Sequence, residues 1–397
     1  MAINAFNHVE AGVSLSDQAT TTADLRALHH PAEFYPLLSR SILHETLHLW
    51  QYLSSGYLMG LVEEDWERLK TYERDGMAAS LGPRGQAFRK RSDLLPFSAK
   101  ELHEGLARFW DMHILGPPLL IELELADPKR TIPADFADKY RKEKAAGRIT
   151  HPETGGYSSL SFQMAMECAA GDYGKPFLWL RQQTNDLLAN ILFPLCGYYA
   201  FQTPDPLRGF NLLARQGSHE FPNLYSDRAI HEWWREGFFR LGRLAVQAAH
   251  QLGGNSLEHM GTAVTEGALT DHPTWALLFE LRRGAAVHFK TLPLFDPLPD
   301  VDPNQHRQIH GQLNLEYALA CPGDPDYRGM LVQCLAPSTV RFADETIWNL
   351  GALAALQVRD QPLWKMHHTI ENESGLLRTR WCRFVLAKFG YGPDCHA

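Results

Sequence analysis

Apolar residues recur at three- and four-residue intervals along most of the chain, a period that predicts amphipathic helices. The clearest helical segments are about 33–55, 57–75, 98–113, 158–170, 176–200 and 226–250. Residues 4–16 form the best candidate for β structure, and few other segments alternate like strands. We therefore predict a mainly α fold, a multi-helix domain with little β structure.

Polar, proline-containing and glycine-containing segments separate these helices. Residues 81–97 read as an exposed connector and residues 126–156 as a polar, turn-rich stretch, while Pro204, Pro206 and Gly209 indicate a loop. In the third helical segment Ser98 and Glu101 have the spacing of a capping box.

A proline-rich segment predicts one boundary in the chain. Four prolines fall between residues 292 and 305, so we expect a linker at 291–305. It would separate a helical domain at 1–290, which contains the chemistry described below, from a C-terminal helical region at 306–397 that packs on it.

Composition excludes several classes of protein. The 397 residues are 45% hydrophobic, which is enough for a packed core, and the formal net charge of −8 argues against nucleic acid as a partner. No apolar run reaches the roughly 18 residues that span a bilayer, and the first residues lack the features of a secretory signal. Six scattered cysteines show no CxxC spacing. We expect a cytoplasmic protein that acts on a peptide or small molecule, without membrane or nucleic acid; the oligomeric state stays open.

The segment LHETLH at 43–48 contains the pattern HExxH. On a helix, residues four apart lie on one face, so His44 and His48 can direct two imidazoles at one divalent metal ion. Glu45 lies next to them, where its carboxylate could act as general base on a water that the metal activates. The spacing therefore predicts a metal centre, with zinc the first choice and iron the second.

A catalytic site of this type needs a third protein ligand, usually a carboxylate, and four acids compete for the role. Glu104 is the leading candidate, and Glu67 and Glu167 come next, followed by Glu266. Eighteen residues separate His48 from Glu67, a spacing that fits one known arrangement, but the neighbours of Glu67 are acidic.

Glu104 has the most suitable neighbours. Gly105 and Ala107 are small, so their helix can approach another backbone closely. Asp111 lies seven residues after Glu104, two turns along the same face, where it could accept a hydrogen bond from a ligand histidine and fix its tautomer.

Residues 44–50 (HETLHLW), followed by 104–111 (EGLARFWD), resemble the gluzincin metallopeptidases, whose pattern is HExxH and then a downstream EGxAxxxE helix. The resemblance implies zinc on His44, His48 and Glu104, with Glu45 as the base and Asp111 in the place of the family's second acid. It also implies a peptidase-like hydrolase.

Two other classes of function remain open from the residues. Two histidines and one carboxylate also form the site of non-haem iron oxygenases, which could modify a peptide or an amino-acid derivative. A binding or regulatory protein could keep the metal site without turnover. Tyr157, Tyr173 and His231 are candidates for stabilising an oxyanion, with no reason to choose among them, and the pair His306 and His310 favours a solvated helix start over a second metal site.

Overall fold

A computed structural model describes the chain in the following parts: residues 5–9, 12–14, 43–253 except 77–79, 127–131, 152–155, 170–172 and 222–226, and also 269, 271, 272, 275, 339–341 and 347–348.

The described part is mainly helical, as predicted. Its helices are α1 (Leu43–Ser54), α2 (Gly56–Asp75), α3 (Pro83–Arg89), α4 (Ala99–Leu115), α5 (Pro117–Ala126), α6 (Phe136–Ala145), α7 (Ser159–Cys168), α8 (Lys175–Gln183), α9 (Asp186–Ala200), α10 (Pro206–Glu220) and α11 (Asp227–Gln251).

Helix α9 forms the centre of this structure, because every side chain from 188 to 200 is buried. It packs against α10 and α11, and also against α4. Gly197 makes the contact with α4 close: a Cβ on it would lie 2.5 Å from a methyl carbon of Leu106. Helix α4 also packs against α1, so it links the HExxH helix to the hydrophobic core.

The start of α4 is held by the capping box that the sequence predicts. The Ser98 hydroxyl accepts from the backbone N–H of Glu101, and the Glu101 carboxylate accepts from the backbone N–H of Ser98. This exchange satisfies two backbone donors at the helix end and sets where α4 begins. The register of the residues that follow, including Glu104, depends on that start.

Four short strands accompany the helices. β1 (Ala5–Asn7) pairs antiparallel with β2 (Gly12–Ser14), which confirms β structure in the predicted segment at 4–16. β2 pairs in parallel with β3 (Thr339–Arg341), and β3 pairs antiparallel with β4 (Ile347–Trp348). Both β1 and β2 contact α1.

Two predicted boundaries near the central helix are wrong. The predicted helix at 176–200 is two helices, α8 and α9, because the side chain of Asn185 accepts from the N–H of Leu188 and caps a new helix. The predicted loop with Pro204, Pro206 and Gly209 ends earlier than expected, because α10 begins at Pro206 and includes Gly209. Asp205 caps α10 and Pro206 occupies its first turn, where a missing N–H costs nothing.

Two short helices lie in segments predicted to be irregular. The connector at 81–97 contains α3, which buries Phe88, and the polar stretch at 126–156 contains α6, which buries Phe136 and Tyr140. Each of these two segments contains few apolar residues, so the helical spacing of apolar residues was hard to detect there. The predicted linker at 291–305 and Glu266 lie outside the described residues, as does nearly all of the region at 306–397.

Within the described residues, no helix combines the length and the apolar character that crossing a bilayer requires.

Candidate metal centre

Three predicted ligands meet where α1 crosses α4. The Nε2 atoms of His44 and His48 lie 3.3 and 3.1 Å from Oε2 of Glu104. One donor atom from each residue lies within 4.8 Å of the other two. In the described part of the chain, this is the one group of three or more histidine, cysteine, aspartate or glutamate residues that could hold a metal ion.

The other ring nitrogens of both histidines have partners that orient them. Nδ1 of His44 lies 2.8 Å from Oδ2 of the buried Asp111, and Nδ1 of His48 lies 2.7 Å from Oε1 of Gln51. Gln51 also donates from Nε2 to the carbonyl oxygen of His103 at 3.0 Å, so its Oε1 faces His48. With the ring proton on each Nδ1, the lone pair of each Nε2 points to the place where the two histidines meet Glu104.

The residues fit a divalent metal ion. Ligands about 2.1 Å from a tetrahedral zinc are about 3.4 Å from each other, close to the observed separations between Glu104 and the two histidines. Two neutral imidazoles and one carboxylate are a donor set that Zn²⁺ and Fe²⁺ both accept. The group is therefore suited to one divalent ion, and its geometry does not distinguish the two metals.

The charges around the centre favour a cation there. Burial by itself would lower the pKa of His44, but the charge and hydrogen bond of Asp111, with help from Glu104, raise it well above its ordinary value. Burial would raise the pKa of Glu104, yet the two histidines hold it far below its usual range. The acids thus stabilise positive charge at the point where the donor atoms meet.

His103 is a site residue that the sequence analysis did not identify. It is buried, its Nε2 lies 3.2 Å from Nδ1 of His48, and the two rings stack with centroids 4.3 Å apart. Burial, then the neighbouring His48, lowers its pKa well below the ordinary value, so the ring is neutral. Gln51 was also missed, although its position three residues after His48 on the same helix face was a usable signal.

A cavity of about 350 Å³ opens beside two of the three donor residues, His48 and Glu104. Its wall includes Glu45, His48 and Glu104, and it also includes Tyr173, Phe88 and Leu61. Glu45 therefore lines the space next to the metal ligands without belonging to the group of three donors. That is the position the sequence analysis assigned to a general base.

Tyr173 reaches the centre because of a glycine on α4. Its ring lies edge-on to His44, with centroids 5.5 Å apart, and it lines the cavity. A Cβ on Gly105 would lie only 2.8 Å from the carbonyl oxygen of Tyr173. Glycine next to Glu104 thus lets the segment before α8 pass close to the metal ligands.

The structure places the other candidates away from the centre. Glu67 is exposed on α2 and pairs with Lys70, while Glu167 on α7 binds Lys139 and Arg181. Tyr157 is 38% exposed and lies against Gly116. The side chain of His231 and the residues His306 and His310 lie outside what the structure describes.

No family model matches the sequence, and no curated protein or solved structure matches it either. The resemblance to gluzincins therefore stays a prediction that depends on residues 44–50 and 104–111.

Proposed function

We propose that the protein is a zinc-dependent hydrolase of amide bonds, peptidase-like in its chemistry. His44, His48 and Glu104 would hold the metal ion. One observation carries the proposal: both Nε2 atoms converge on Oε2 of Glu104 while both Nδ1 atoms are occupied by Asp111 and Gln51. A divalent cation bound there supplies Lewis acidity, which polarises a carbonyl oxygen and acidifies water.

Glu45 would move the proton in this reaction. Its carboxylate lines the cavity and can accept a proton from the attacking water as the carbon–oxygen bond forms. It then returns that proton to the amide nitrogen as the carbon–nitrogen bond breaks. The products are a carboxylic acid and an amine, so atoms and charge balance without a further reactant.

Tyr173 is the best candidate to stabilise the oxyanion. Of the two earlier candidates whose side chains the structure describes, Tyr157 and Tyr173, it is the one that lines the cavity and contacts His44. A phenolic hydroxyl can donate a hydrogen bond to the charge that develops on the carbonyl oxygen. Gly105 would serve this role indirectly, by allowing the Tyr173 backbone to approach α4.

The iron oxygenase alternative uses the same three donors. Glu45 favours hydrolysis, because a base beside the metal is needed to deprotonate water, and an oxygenase site of this type needs no such group. Zinc in protein purified without added metal supports the proposal. Iron, with oxygen consumed in the presence of substrate, would support the oxygenase instead.

The Glu45→Gln variant tests the proposed reaction. With zinc-loaded protein and a panel of blocked dipeptides, we expect amine release to fall by about 10²–10⁴-fold while zinc content stays unchanged. Glu67→Gln is the matched control, since Glu67 is exposed on α2 and should change neither quantity. Substantial remaining hydrolysis in Glu45→Gln would show that Glu45 is not the general base.

A further inference from the structure

Two cationic side chains lie in the wall of the cavity that contains the metal ligands. Arg89 is the last residue of α3, and Lys100 is in the first turn of α4. Both are exposed, and neither forms an ion pair with another residue among those described. The wall of the cavity therefore contains two exposed positive charges, although the whole chain has a net charge of −8.

Three neighbouring cations differ from these two, because they are paired with acids. Arg91 and Lys175 both bind Glu101, and Arg68 binds Asp65. Arg89, Lys90 and Lys100 are exposed and form no ion pair with a described residue, and of these three Arg89 and Lys100 line the cavity.

Three acids line the cavity, Asp65, Glu104 and Glu45, and Glu45 is the proposed base. Asp65 binds His8 and Arg68, and the Glu64 carboxylate accepts from the backbone N–H groups of Arg84 and Gly85 at the start of α3. Glu104 is directed at the two histidines. The charges of Arg89 and Lys100 are consequently left for a ligand.

The position of Lys100 is unfavourable for the helix itself. A cation in the first turn faces the positive end of the helix dipole, where aspartate and glutamate are preferred. An anion bound there would be stabilised by Lys100 and by the same dipole. The unfavourable placement is consistent with a binding role.

We propose that Arg89 and Lys100 bind a carboxylate of the substrate, so that the enzyme acts on small acidic amides such as N-acylated amino acids or short peptides cut near a free carboxylate. This inference rests on the proposed function. Lys100 and Glu104 are one helical turn apart, about 6 Å along the axis. The two residues therefore lie close together on one helix, which favours a substrate whose carboxylate is near the amide that is cut. The cavity volume of about 350 Å³ also suits a small substrate.

A matched pair of probes tests the proposal: N-benzoylglycine, which carries the carboxylate, and N-benzoylglycinamide, which does not. Binding is measured by calorimetry on the zinc-loaded full chain with Glu45→Gln, so that turnover does not interfere. We expect the acid to bind at least about tenfold more tightly than the amide. Added salt should reduce this preference, because both cations are exposed.

Substitutions identify the side chains responsible. Arg89→Gln and Lys100→Gln together should remove the preference for the acid and leave the affinity for the amide and the zinc content unchanged. Arg91→Gln is the control, since Arg91 lies two residues away and pairs with Glu101. Equal affinities of acid and amide, no measurable binding of the acid, or a preference that survives the double variant would each overturn the proposal.

Turnover separates this proposal from the proposed function. If the chain with Glu45 intact prefers the acid but hydrolyses neither benzoylglycine nor the dipeptide panel, the anion site stands and the hydrolase proposal fails. If it hydrolyses peptides without any preference for a carboxylate, the hydrolase stands and the anion site fails.

Discussion

Oδ2 of Asp111 lies 2.8 Å from Nδ1 of His44, on the side of the ring opposite the nitrogen that faces Glu104. Asp111 and Glu104 are seven residues apart on α4, so one helix supplies both the carboxylate of the donor group and the carboxylate that orients a histidine of that group. The group of three residues that could hold a metal ion is therefore built from one face of α1 and one face of α4.

This contact predicts the effect of changing Asp111 to asparagine. An amide keeps the size of the side chain but removes the negative charge that stabilises His44, so we expect zinc to bind about 10–100-fold more weakly. Competition with a chelator of known affinity measures the change. Asp138→Asn is the control, because the Asp138 side chain on α6 is exposed. An unchanged zinc affinity would mean that Asp111 does not orient the ligand.

A second prediction concerns Gly105. In Gly105→Ala the new Cβ would meet the carbonyl oxygen of Tyr173 at 2.8 Å, so the segment that carries Tyr173 must shift. We expect zinc content to be retained, hydrolysis to fall, and the free energy of unfolding to drop by about 1–3 kcal/mol.

Tyr173→Phe shows whether Gly105 acts through the hydroxyl. If it does, the losses of rate in Gly105→Ala and Tyr173→Phe should not add in the double variant. Additive losses would indicate that the glycine affects activity by another route.

Features that depend on residues close together in the sequence were predicted. Two such features are the helical spacing of His44 and His48 and the capping box of Ser98 and Glu101. Both depend on residues within about one turn, so the sequence predicts them. Asp111 was predicted from its position on the same helix face as Glu104, and the structure places it against His44. The mainly α class followed from the same periodicity.

Features that depend on tertiary packing could not be predicted. Glu104, Glu67 and Glu167 were all open as third ligand, and what brings Glu104 to the histidines is the packing of α4 on α1. The approach of Tyr173 likewise depends on a segment that is distant in sequence. The start of helix α10 was missed because Pro204, Pro206 and Gly209 were taken to indicate a loop, whereas Pro206 occupies the first turn of the helix.

Asp65 predicts a pH dependence of stability. Burial would raise its pKa, but the hydrogen bond and charge of His8, together with Arg68, lower it below the ordinary value. A carboxyl with a depressed pKa in the folded state stabilises the protein above its unfolded-state pKa of about 3.9, and this stabilisation is lost as pH falls through the folded-state value.

Urea unfolding of Asp65→Asn checks this dependence. We expect the variant to be less stable than the parent by about 1–3 kcal/mol at pH 7, with a difference that shrinks as the pH falls below about 4. Asp138→Asn is again the control because its side chain is 83% exposed. A difference that is constant with pH would show that the charge of Asp65 does not contribute.

Metal binding should also stabilise the fold, because the ligands come from two helices that pack together. At free zinc about 100-fold above Kd, the expected gain in the free energy of unfolding is about 2.7 kcal/mol. Thermal unfolding with zinc and with a chelator measures it. The gain should disappear in Glu104→Gln and persist in Glu67→Gln and Glu167→Gln. If Glu167→Gln instead lost the stabilisation by zinc, Glu167 on α7 would be the third ligand.

The most direct test of the account is to locate the metal in crystals of the zinc-loaded protein by anomalous diffraction at the zinc absorption edge. The account predicts a single strong peak about 2.0–2.2 Å from Nε2 of His44, Nε2 of His48 and a carboxylate oxygen of Glu104. A peak bound by other residues, or no peak at these three side chains in protein that contains stoichiometric zinc, would contradict it.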